Sequence, residues 1–123
     1  MREIKFRAWD TLQGGKFEYW SFPENKYDGI FWGMIKHKSF KKPQQYIELK
    51  DKNGVEIYEG DIVKITRKYN SGHVKYGKVI SKNGCFQISY GNLIYDNIFE
   101  LKKSDGIFEV VGNIYENPEL LRD

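Results

Sequence analysis

Alternation at period two dominates the chain. Ile4, Phe6 and Ala8 fall in one phase against Lys5, Arg7 and Trp9 in the other, as on a strand with one buried face. Asp10 to Lys16 contains the pair Gly14-Gly15 and predicts a connection into a second strand, Phe17 to Trp20. Between 21 and 45, Pro23, Gly29, Gly33 and Pro43 break every period. Ile30 to Ile35 reads there as a short strand, and the lysine-rich run 36–42 as an exposed loop. From Gln44 the alternation returns in short pieces divided by tight-turn signals. Tyr46 to Leu49 ends at Asp51-Lys52-Asn53-Gly54, and Val55 to Tyr58 ends at Glu59-Gly60-Asp61. Strands over 62–69 and 73–81 flank Asn70-Ser71-Gly72. Lys82-Asn83-Gly84 then turns into Cys85 to Tyr90, and Gly91-Asn92 into Leu93 to Leu101. The last strand runs from Ile107 to Ile114. Only Asn117-Pro118-Glu119-Leu120-Leu121 has helical signals, with Asn117 as N-cap and Pro118 in the first helical position.

These elements predict a mainly β protein: a small SH3-like barrel or curved antiparallel sheet over 46–123, ending in a short C-terminal helix. Residues 1–45 form an N-terminal strand and hairpin extension. The hydrophobic period slips near Gly77, with Val74 and Tyr76 in one phase and Val79 in the other, and a glycine at such a break predicts a bulge. Composition agrees with sheet: nine Tyr, eight Phe and three Trp in 123 residues, with twelve Gly to supply turns. No apolar run reaches the roughly 20 residues that span a bilayer. The charged, alternating start is unlike a signal peptide. Cys85 stands alone, so no intrachain disulfide forms, and the expected compartment is the cytoplasm.

Three segments carry a resemblance. Met1-Arg2-Glu3-Ile4-Lys5-Phe6-Arg7-Ala8-Trp9-Asp10 is similar to the opening of the YopX family of phage and prophage proteins. The central run from Leu49 through Asn53-Gly54 and Glu59-Gly60-Asp61 to Val63 resembles that family's central signature. Phe108 to Leu121, with Gly112-Asn113 and Asn117-Pro118, resembles its closing motif. One departure stands at Ile47-Glu48, where the family usually carries Thr-Gly and the glycine would permit a kink. The resemblance implies a phage or prophage origin and a homo-oligomer, and it carries no catalytic residues with it. Gly54, Gly60 and Gly112 read as backbone devices, two turns and a bulge or strand end, and Asp61 as a cap on turn amides.

Candidate chemistry is sparse. His37 and His73, thirty-six positions apart, and the lone Cys85 match no metal-ligand spacing. Cys85 reads as a half-buried structural thiol, and Glu56, Glu59 and Asp61 as turn acids and not a catalytic set. No cofactor, small-molecule substrate or enzyme activity is expected. Charge is uneven: residues 61–82 hold six Lys or Arg against one acid, and 96–123 hold seven acids against three bases. Arg67, Lys68, Lys75, Lys78 and Lys82 interleave with Tyr69, His73 and Tyr76 along a predicted hairpin, a pattern able to track phosphates and stack bases. The aromatic residues Trp20, Phe22, Phe31 and Trp32 lie in a stretch too broken for an ordinary core strand and are expected at a subunit interface. The sequence therefore predicts a phage-derived accessory protein that acts by binding and self-association. A nucleic-acid-binding barrel using the basic 64–82 hairpin is the alternative, with a host or phage protein as the other class of partner.

Overall fold

The structure, a computed structural model, describes residues 4–22, 39–67, 70–91 and 94–121. Its strands are β1 (Ile4–Asp10), β2 (Lys16–Phe22), β3 (Gln44–Lys50), β4 (Glu56–Tyr58), β5 (Asp61–Arg67), β6 (Asn70–Lys82), β7 (Cys85–Gly91), β8 (Ile94–Asn97) and β9 (Gly106–Asn113). One α-helix, α1, spans Ile98–Lys103, and 3-10 turns occupy Leu12–Gly14 and Pro118–Leu121. The protein is mostly β, built from two antiparallel sheets. The chain divides into two compact units, Met1–Glu48 and Leu49–Asp123.

In the first unit, β1 pairs with β2 along its whole length, from Ile4 opposite Phe22 to Asp10 opposite Lys16, and with β3 through Phe6 and Arg7. Ala8, Tyr46 and Ile47 are buried. Arg7 is buried too. Its Nε donates to Gln44 Oε1 at 2.8 Å, and its guanidinium lies 3.9 Å from the Phe17 ring centroid, so polar and aromatic partners offset its desolvation. Part of the lysine-rich segment read as an exposed loop is held against the first hairpin. Thr11 N donates to Ser39 O, Lys41 N donates to Trp9 O, and Ser39 is buried. The strand expected at 30–35 lies outside the described residues.

In the second unit, a five-stranded sheet in the order β8-β7-β6-β5-β9 curves into a half-barrel, the curved-sheet form of the expected fold. Ile62, Val63, Ile65, Val79, Ile88, Ile98, Leu101 and Phe108 form its core. Asn83 and Gly84 both adopt positive φ, at 55° and 76°, which closes the β6–β7 hairpin with a two-residue loop between Lys82 and Cys85. The β5–β6 hairpin turns earlier than Asn70-Ser71-Gly72 implies, because Arg67 already lies opposite Asn70. Bulges fall between Ile62 and Val63 against β9, between Ile65 and Arg67, and between Ser89 and Gly91. Gly77 carries none against β5. It stays in register opposite Val63 and is required for close approach, since a Cβ there would stand 2.5 Å from Ile88 Cγ2 and 2.9 Å from Ser89 O.

Two helical expectations change. The segment to Leu101 read as strand becomes α1 at Ile98, because the Asn97 side chain accepts from Phe99 N and Glu100 N at 3.0 and 3.1 Å. At the C-terminus Pro118 opens a 3-10 turn that packs against β6. The Asn117 side chain does not cap that turn. Its Oδ1 accepts from Asn113 N at 3.3 Å instead.

Glu48, where the family usually has glycine, adopts φ +66°. The kink survives the loss of the glycine, and the side chain bears its strain. Glu48→Gly is expected to stabilise the protein by about 0.5–1 kcal/mol. Thermal unfolding would read this as a rise of a few degrees, and an unchanged or lower midpoint would show that the conformation costs nothing here.

Candidate nucleic-acid interface

Polar residues of the central and closing motifs hold backbone amides of the second unit. Asp51 is buried at the turn after β3. Its Oδ1 accepts from Asn53 N at 2.8 Å and Val55 N at 2.9 Å, and its Oδ2 from Val110 N at 2.8 Å. Beside it, Lys52 N donates to Phe108 O at 3.0 Å. Burial works against this charge, but three backbone donors and the neighbouring Lys52 outweigh it and hold the carboxyl below its ordinary range. Asp61, 3% exposed, accepts from Tyr58 N at 2.7 Å through Oδ2, the capping role expected of it. Gly60 N donates to Val79 O, and Ile114 N donates to Gly60 O. Asn113 Oδ1 accepts from Tyr115 N and Glu116 N, while its Nδ2 donates to Glu116 Oε1. A Cβ at Gly112 would stand 2.5 Å from Asn117 Oδ1, and the bulge beside it fulfils the expectation for that glycine. These groups build the scaffold.

Period two sorts the side chains of the basic strands onto opposite faces. On the face of Val63, Val79 and Ile88, a cavity of about 90 Å³ is lined by Ile65, Arg67, Lys75, Tyr90, Asp96 and Leu101. Arg67 is committed there: its Nη1 donates to Ser104 O at 3.1 Å and Ser104 Oγ at 3.0 Å, closing the end of α1. The Lys75 ammonium lies 5.0 Å from the Tyr90 ring centroid. Burial, then a hydrogen bond from the hydroxyl to Asp96 and the charge of Asp96, push the Tyr90 hydroxyl well above the usual phenol range, against an opposing pull from Arg67.

The other face carries a different group. Lys64 lies opposite Tyr76, and Lys78 opposite Ile62 and Ser89, with Tyr95 beyond Ser89. Tyr76 is 44% exposed and Val74 beside it 41%, so the apparent slip of the period at Gly77 is an exposed apolar pair on the outer face. Lys82 places its ammonium 3.8 Å from the Tyr95 ring centroid. Among the described residues neither Lys64 nor Lys78 has an acidic partner; Glu109, opposite Lys64, pairs with Lys52 at 3.3 Å. The structure thus brings Lys78 and Lys82 to one face and Arg67 and Lys75 to the other. Lys64, Tyr76 and Tyr95 complete the first group. Lys64 and Tyr95 escaped the reading of the hairpin alone, and register was the signal that would have found them.

Of the remaining candidates, Lys68, Tyr69, Phe31 and Trp32 lie outside the described residues, as do the side chains of His73 and Phe22. Trp20, half-buried on β2, has its ring centroid 6.4 Å from that of Phe40 in its own unit. Cys85 is exposed at the start of β7, not half-buried as expected, because the Asn83-Gly84 loop leaves the hairpin end open to solvent. Among the described residues no group of three or more His, Cys, Asp and Glu could hold a metal ion, and no helix is long and apolar enough to cross a membrane.

The YopX protein family model matches residues 5–122. The chain belongs to the YopX family. No curated protein matches it. Among solved structures it is similar to protein EF1440 from Enterococcus faecalis, with a TM-score of 0.57 and 25% sequence identity over 97% of this chain and 98% of that one. The family match runs across both units, and the motif residues that hold amides in the second unit fall within it.

Two outcomes follow from the ionisable groups. Asp51→Ala is expected to destabilise by about 2–4 kcal/mol in denaturant unfolding, because it leaves three part-buried amides without their acceptor. The folded-state pKa of Asp51 is depressed, so its contribution is present above the ordinary carboxylate range and is lost as pH falls through the folded value. Asp51→Asn should flatten the acid limb of the stability curve, and an unchanged limb would count against this role. Tyr90 should remain protonated above pH 10 by NMR of its ring carbon, and Asp96→Asn should lower its titration. Stability carried by the raised pKa is present below pH 10 and lost as pH rises beyond it.

Proposed function

We propose that this YopX-family member is a phage-type accessory protein that works by binding and self-association, not by catalysis. The observation that supports this reading is the use made of the motif side chains. Asp51, Asp61 and Asn113 hold backbone amides, and a carboxylate fixed in its charged form by three donors is a poor proton carrier near neutral pH. In the second unit the fold leaves aliphatic and aromatic side chains exposed, Val55, Val74, Tyr76 and Phe99 among them. That mixture suits a contact surface. A single cysteine suits a reducing compartment, the cytoplasm of a bacterial host.

Light scattering at micromolar concentration is expected to give a mass at least twice that of the 14.6 kDa chain. A monomer at every concentration tested would remove self-association from the proposal.

A second reading, nucleic-acid binding through the basic 64–82 segment, is favoured by one observation: Lys64, Tyr76 and Lys78 share a face without acidic partners among the described residues. Affinity for DNA or RNA should then fall steeply with salt. Absence of binding at low salt would retire this reading and leave a protein partner.

A further inference from the structure

We infer that the outer face of β5, β6 and β8 binds single-stranded nucleic acid, with Tyr76 as the ring on which a base stacks and Lys64, Lys78 and Lys82 along the phosphates. The inference rests on the nucleic-acid reading and adds the strandedness of the ligand and the face that takes it.

Four observations carry it. Tyr76 is 44% exposed in the middle of a long strand, and among the described residues nothing bonds its hydroxyl. Lys64 stands beside it across the ladder and Lys78 two residues along the same face, so two lysines flank the tyrosine on that face. Strands lie about 4.8 Å apart and same-face neighbours about 6.6 Å apart, which brings both lysine side chains within reach of a backbone whose base rests on Tyr76. Further along, Lys82 covers the Tyr95 ring, so the basic track continues and Tyr76 remains its open ring. Glu109, opposite Lys64, pairs with Lys52 at 3.3 Å.

Such a face selects single strands. A base must leave its stack to lie on tyrosine, and an unpaired strand offers bases that are already free. A duplex would meet the lysines but leave the ring unused. The opposite face is poorly suited to a polyanion, because Arg67 is held by Ser104 and Asp96 stands in the same cavity as Lys75.

The test is fluorescence anisotropy with labelled oligo-dT and oligo-rU of about twenty nucleotides and a duplex of the same length, across a salt series. The protein should bind the single strands more tightly than the duplex. Tyr76→Ala should weaken single-strand binding about tenfold, with Tyr76→Phe close to the native affinity. Lys64→Glu with Lys78→Glu should weaken it further and lower the salt slope. Circular dichroism verifies that each variant folds. Binding that survives Tyr76→Ala and is lost on Lys75→Glu would overturn the assignment of the face. Duplex bound as tightly as single strand would overturn the strandedness. In both cases nucleic-acid binding itself would stand; no binding of any probe at low salt would sink that reading along with the inference.

Discussion

The second unit depends on one carboxylate. Asp51 takes two amides of its own turn and one from Val110, 59 residues further on, while Lys52 N reaches Phe108 O in the same strand. The outer edge of β9 would otherwise present a row of unpaired amides and carbonyls, the edge along which sheets aggregate. The turn occupies that edge. It also sets the position of β9, which pairs with β5, whose register with β6 decides which side chains share a face. Glycine and asparagine shape the turn, and the buried charge joins it to a distant strand.

The same economy recurs at the other end of β5. Asp61 opens that strand and holds Tyr58 N; Gly60 bridges Val79 and Ile114; Asn113 and Asn117 bind the chain to itself after β9. Each is a polar group committed to backbone, where an unsatisfied amide costs about 1–3 kcal/mol. This accounts for a family signature rich in Asp, Asn and Gly.

Much of this was legible in the sequence where a residue has only one conformational use. Asn53-Gly54 and Asn83-Gly84 announced their turns because few residues accept positive φ. Tertiary effects were not legible. Helix α1 was read as strand since Tyr95, Ile98 and Leu101 continue an apolar run, although Asn97 followed by Glu100 is a start signal at the spacing of a capping box. The left-handed Glu48 was invisible, because nothing in a glutamate predicts that its surroundings will impose φ +66°. The break of period at Gly77 suggests a bulge from sequence because exposed Val74 and Tyr76 look like a buried face in a one-dimensional pattern.

The candidate site shows the same limit in its sharpest form. Counting lysines between 61 and 82 gives one basic segment, yet a strand divides such a segment by parity. Lys75 lies on the side of the core, its ammonium near Tyr90, while Lys78 and Lys82 lie on the other side with Tyr76. Arg67 donates to Ser104 at the end of a helix that the alternation pattern concealed. Conversely, Lys64 and Tyr95 join the outer group only because β5 and β8 bring them there. Charge composition thus identifies the segment, and hydrogen-bond register decides which of its cations face an open aromatic ring.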